Sequence, residues 1–188
     1  MTALDDLHEE IRTHGGCGFE ICEAATNIVA GEGNPSAEVM LVGEAPGASE
    51  DREGIPFVGA SGKLLNAMLD AASIDRGEVF IANVVRCRPP ENRAPKPREL
   101  RACAGWLAEQ IRLIDPKLIV TLGRFALQHF IPDGKITRLQ GTVQEVDYGG
   151  TPLRLLPLLH PSAVLRNPEL RAPYERQFVD LGNVYRNQ

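Results

Sequence analysis

The sequence predicts an α/β fold, a three-layer α/β/α sandwich with a central, mostly parallel sheet. Three observations predict it. The short runs "EVMLVG" (38–43), "VFIANVV" (79–85) and "KLIVTLG" (117–123) are apolar and rich in β-branched residues, as in strands buried on both faces. The segments between them carry apolar residues at helical spacing. The resulting order of strand, helix, strand, helix, strand implies parallel pairing through right-handed crossovers.

The elements follow in chain order. Between the first two strands, "GKLLNAMLDAA" repeats Leu64, Leu65, Met68, Leu69 and Ala72 along one helix face. Between the second and third, "PRELRACAGWLAEQIRLI" does so with Leu100, Cys103, Leu107, Ile111 and Ile114. "TVQEVDY" and "PLRLLPLL" flank Gly149 and Gly150 as a hairpin, and the second arm reads equally well as another sheet strand. A last amphipathic helix shows Tyr174, Phe178, Leu181 and Tyr185 on one side. A chain of 188 residues suits one domain, 1–188, with residues 1–37 as an amino-terminal arm.

Composition narrows the class. Apolar content of 43% and charged content of 24% are those of an ordinary globular protein. Runs such as "LIV" and "VMLV" fall far below the ~20 apolar residues a bilayer crossing needs. The acidic start "MTALDDLHEEIRTHGG" lacks the basic-then-apolar order of a secretion signal. A cytoplasmic protein with no membrane partner is the expectation.

The net charge of −5 hides a segregation. Residues 1–53 hold twelve acids and two bases, so the remainder carries +5. Much of that surplus lies in "RCRPPENRAPKPRELR" (86–101), where Arg86, Arg88, Arg93, Lys96, Arg98 and Arg101 face Glu91 and Glu99. Such a strip can follow phosphates, because binding depends on the local field more than on the total. A solvated loop accounts for it as well.

In an open α/β sheet, ligands bind beyond the carboxyl ends of the strands. There this sequence places "GEAPG" (43–47), Asn83 and His160. Each has a plain reading: a tight turn, a polar strand residue bonded to backbone, a core imidazole. Phe57 in "GIPFVG" would ordinarily count as core.

Together, "GEAPGASEDREGIPFVGASGKLLN", "NVVRCRPPENRAP" and "HPSAVLRNP", in this order and at these separations, resemble the uracil-DNA glycosylase superfamily, specifically its iron-sulfur family 4. The likeness runs from about Cys17 to Pro168. It implies a repair enzyme that flips uracil out of single- or double-stranded DNA, acts as a monomer and is nucleoid-associated through DNA. By that resemblance Phe57 stacks on the flipped pyrimidine and Asn83 bonds its O4 and N3 edge. Gly43, Glu44 and Ala45 line the uracil pocket. His160 donates to the departing O2, where negative charge develops. Ser162, Leu165 and Arg166 match the loop that enters the duplex and grips its backbone. Arg86, Arg88 and Arg93 are expected near phosphates. Some relatives carry a water-orienting aspartate where this chain has Ala45; Glu44 is the nearest substitute, with Glu50 and Asp51 behind it.

The four cysteines are Cys17, Cys22, Cys87 and Cys103. A disulfide framework is not expected in a cytoplasmic protein, and four thiolates suggest a metal site. Spacing alone allows zinc, an iron-sulfur cluster or unrelated core thiols. The resemblance implies a structural four-iron four-sulfur cluster, with two of its ligands on the amino-terminal arm. "CGFEIC" departs from the family in having four residues, where many members have two, between the first pair.

Two rival readings frame the test. A sister group traps its substrate covalently through a histidine downstream of the asparagine motif, and no histidine lies between Asn83 and Cys103 here. The other rival is a nucleotide-binding α/β module in which "GEAPG" cradles a phosphate.

Overall fold

The computed structural model describes residues 2–14, 18 and 20–186. Its helices are α1 (Ala3–Thr13), α2 (Glu20–Glu23), α3 (Ala48–Glu53), α4 (Ala60–Ala71), α5 (Pro97–Ile114), α6 (Arg124–Phe130), α7 (Ile136–Leu139), α8 (Pro161–Arg166) and α9 (Arg171–Arg186). The strands are β1 (Glu32–Gly33), β2 (Val39–Gly43), β3 (Phe80–Asn83), β4 (Leu118–Leu122), β5 (Gln144–Tyr148) and β6 (Thr151–Leu158). They form one sheet in the order β1-β3-β2-β4-β6-β5. The inner four strands are parallel and the two edges antiparallel.

Strand alternation explains the unbroken apolar runs. Val39 and Leu41 point into a layer with Leu65, Met68 and Leu69 of α4 and Tyr174, Phe178 and Leu181 of α9. Met40 and Val42 point the other way, toward Leu4, Leu7 and Ile11 of α1 and Leu107, Ile111 and Ile114 of α5. Both faces are therefore covered, which gives the expected three layers. Each fully buried leucine or isoleucine contributes roughly 2 kcal/mol through lost apolar surface.

Several elements go beyond the expected layout. Helix α1 lies in the acidic start, closed by a Thr2–Asp5 capping box. The β6 strand fulfils both readings of its segment, as the antiparallel partner of β5 and the parallel neighbour of β4. The stretch after His160, expected as a loop, is helix α8 with His160 as its N-cap. Pro161 at its first position favours that start, since the missing N–H is not needed there. Among the described residues no helix is long and apolar enough to cross a membrane.

Candidate active site

The carboxyl ends of β2, β3 and β6 open on a cavity of about 440 Å³. Of the residues singled out from sequence, Glu44, Ala45, Glu50, Phe57, Asn83, Arg93, His160, Ser162 and Arg166 line it. Gly43 lies beneath them. A β-carbon there would stand 2.5 Å from Asn83 Oδ1 and 2.6 Å from the Phe57 ring, so only glycine lets these two side chains meet.

Phe57 is 5% exposed, and its backbone has φ +53°, a left-handed conformation disfavoured for a bulky residue. Such strain persists only where the surroundings impose it. Glu50 supplies part of that constraint: Oε1 accepts from Val58 N (2.9 Å) and Gly59 N (2.8 Å), and Oε2 accepts from Gly47 N (3.1 Å). One carboxylate thus ties the turn after Phe57 to the loop after β2.

Asn83 is 2% exposed, and its Oδ1 has no hydrogen-bond partner among the described residues. A buried acceptor left so costs about 1–3 kcal/mol, an outlay consistent with a group kept for a ligand.

His160 completes the cluster, its ring centroid 5.8 Å from that of Phe57. Burial pushes its pKa down to about 4, with Arg166 acting in the same sense and Glu50 against it. The imidazole is neutral at pH 7. Its Nδ1 accepts from Ser162 N at 3.2 Å and lies 2.8 Å from Ser162 Oγ. An accepting Nδ1 places the one ring proton on Nε2, which becomes a donor.

The carboxylates divide by environment. Asp51 accepts from the backbone N–H groups of Thr26 (2.8 Å) and Asn27 (3.2 Å), and Glu50 is committed as described. Glu44 lines the cavity; burial pushes its pKa up, and the Arg124 cation opposes the shift. This leaves Glu44 as the carboxylate suited to meet a water.

The basic strip is corrected at one position. Arg86 is fully buried, donates to Gln110 Oε1 at 2.6 Å, and is pushed by burial to a pKa of about 9. It cannot reach a phosphate. Past Asn83 the chain bends and residues 84–87 are all buried, with Arg86 turned to Gln110 of α5. Arg88 is half-buried and donates to Asn92 Oδ1 at 2.8 Å. Arg93 makes a two-pronged pair with Glu99, at 2.9 and 2.7 Å, while still lining the cavity. Leu165, 45% exposed, stands on α8 beside the exposed Arg166.

Cys22, Cys87 and Cys103 share a small apolar cluster with Ile21 and Val85. The expectation of no disulfide is overturned: Cys22 and Cys87 are joined, their Cα atoms 5.1 Å apart, within the usual disulfide range. Among the described residues no three His, Cys, Asp or Glu side chains form a metal-holding group. Cys17 lies outside the described residues. Three sulfurs from α2, the loop after β3 and α5, gathered in an apolar nest, are nevertheless the donor type an iron-sulfur cluster takes.

Sequence reasoning passed over Ser61, Pro89 and Asn92, which also line the cavity. The signal for Asn92 was the "PPEN" turn, where Glu91 and Asn92 both have left-handed φ.

The chain is similar to known proteins over most of its length. The family model for the uracil DNA glycosylase superfamily matches residues 30–181. A Type-4 uracil-DNA glycosylase of Archaeoglobus fulgidus is 43% identical over 189 residues, covering 98% of this chain and 94% of its own. One from Thermotoga maritima is 47% identical over 167 residues, covering 87% and 84%. A Type-5 uracil-DNA glycosylase of Thermus thermophilus is 40% identical over 115 residues, covering 53% and 52%.

Proposed function

The chain belongs to the uracil-DNA glycosylase superfamily, and from that membership we propose that it flips uracil out of DNA, hydrolyses the N-glycosidic bond and leaves an abasic site for base-excision repair. The observation that carries the reading is an aromatic ring, a carboxamide with an unpaired acceptor and a neutral imidazole around one cavity.

Rotating a nucleotide from the stack costs a few kcal/mol. Leu165 offsets part of this by entering the gap, as apolar wedges do. Ser162, Arg166, Arg88 and Arg93 hold the backbone nearby. The flipped base stacks on Phe57 above Gly43 and Ala45. Asn83 Oδ1 accepts from uracil N3–H and its amide donates to O4; cytosine reverses both partners. As the C1′–N1 bond breaks, electrons collect on uracil O2 and the sugar becomes cationic. His160 Nε2–H donates to that oxygen. Glu44, ionised, orients the water that adds to C1′ and accepts its proton.

A monomer whose residues 1–188 act as one glycosylase domain belongs to the same reading. Helix α1 within the 1–37 arm packs on α5 and the sheet, in keeping with that unit. The cytoplasmic, nucleoid-associated location belongs to the same proposal.

The test is gel analysis of an oligonucleotide with a single uracil. An abasic product supports the reading; a stable crosslink or no change contradicts it. Repeated across pH, the rate should fall on the acid side as Glu44 takes up its proton. That limb should lie above the range of an ordinary glutamate, because burial raises the Glu44 pKa. His160, neutral down to about pH 4, adds no limb above it. Glu44→Gln should be slow and should lose the limb; a limb kept in Glu44→Gln would assign it to another group.

Cys17, Cys22, Cys87 and Cys103 are the proposed ligands of a four-iron four-sulfur cluster, which requires the Cys22–Cys87 pair reduced to thiolates. When bound it supplies a covalent tie between the arm, the basic strip and α5. Protein prepared without air should be brown and contain about four irons per chain. Cys87→Ser should bleach it and lower its melting temperature. Colourless wild-type protein retaining the Cys22–Cys87 disulfide by mass spectrometry would overturn this assignment.

A further inference from the structure

We infer that Arg76 is a positioning residue for uracil recognition, acting through Phe57, a step that rests on the proposed function above. Arg76 does not line the cavity. It lies in a short 3-10 turn, Arg76–Glu78, that leads into β3, and its side chain is three-quarters buried. Its Nη2 donates to Pro56 O at 2.6 Å and its Nη1 to Phe57 O at 3.3 Å. One planar guanidinium therefore holds two successive carbonyls of the turn that presents the stacking ring.

The remaining contacts aim that guanidinium. Nη1 also donates to Asn66 Oδ1 of α4 at 2.8 Å, and Nη2 reaches Glu32 Oε2 of β1 at 3.4 Å. The Phe57 carbonyl has α4 packed against it at Gly62, where a β-carbon would collide with it. Glu50 grips the next two N–H groups, those of Val58 and Gly59. Phe57 is thus clamped on both sides: a carboxylate holds the amides after it, and a cation holds the carbonyls at and before it. The clamp explains how a bulky residue stays at φ +53° with its ring against Gly43 and Asn83.

Free uracil is the probe, because its affinity reports the base pocket without contributions from DNA. Inhibition of excision by free uracil is measured for wild type, Arg76→Met, Phe57→Leu and the double variant, together with melting temperatures. Arg76→Met should weaken inhibition about tenfold, and Arg76→Lys should recover part of the loss. In the Phe57→Leu background the same change should have little further effect, since coupled residues give non-additive cycles. Asn66→Ala, a milder disturbance of the same guanidinium, should weaken inhibition two- to threefold and serves if Arg76→Met does not fold.

Equal losses with and without Phe57, or a lowered melting temperature with unchanged uracil inhibition, would overturn the role of Arg76. A wild-type protein that neither excises uracil nor responds to it would instead overturn the proposed function.

Discussion

Replacing His160 with alanine is expected to slow uracil release by about 10²–10³ while leaving DNA affinity within a few-fold. A preorganised donor aimed at developing negative charge is worth that much, roughly 3–4 kcal/mol in the barrier. The donor acts on an oxygen whose charge grows only as the bond breaks, so the loss belongs in kcat rather than KM. His160 also caps α8 through Nδ1, and alanine removes the cap at a cost of about 1 kcal/mol in stability. His160→Asn separates the two roles. Asparagine is a good N-cap but too short to replace Nε2, so it should restore the melting temperature and remain slow. Single-turnover kinetics and thermal melts decide the matter; equal losses in rate and binding, or a rate restored by asparagine, would contradict the leaving-group role.

Asn83→Asp should have the second largest effect, and on a different quantity. The carboxamide offers one acceptor and one donor to the uracil edge, and a carboxylate offers acceptors alone. Uracil O4 would face a negative oxygen, while the amino group of cytosine would find a partner. A site built to pair a polar edge rejects the wrong edge by up to 10⁴–10⁵, because buried groups are left unpaired. Selectivity for uracil over cytosine should therefore fall at least 10²-fold, mostly through slower uracil release. Parallel excision assays on matched oligonucleotides measure it. Unchanged selectivity would remove Asn83 from base reading. The variant should also melt lower, since it places a carboxylate at a position 2% exposed.

What the sequence made legible follows from where each signal resides. Strands β2, β3 and β4 were legible because both faces are buried and the apolar run is unbroken. Parallel order then places Gly43, Asn83 and His160 on one rim, where the cavity lies. Arg86 was misread because a basic residue in a basic strip looks like its neighbours; its burial follows from the bends after β3, which carry it to Gln110 of α5. Arg76 was not legible at all, since "IDRGE" reads as an ordinary surface turn and its partners Pro56 and Phe57 are twenty and nineteen residues away. Helix α1 did carry a signal, with Leu4, Leu7 and Ile11 on one face behind a capping box, beneath a conspicuous acidic composition. The cysteine pairing depends on distances in the fold, which spacing along the chain does not encode.

The central claim concerns a single distance. A crystal of this protein with DNA carrying a 2′-fluorinated deoxyuridine, whose glycosidic bond resists cleavage, would show it. The extruded uracil should lie on the Phe57 ring with O2 about 2.7–3.1 Å from His160 Nε2. A base left in the helix, or one bound with O2 turned away from the imidazole, would contradict the account.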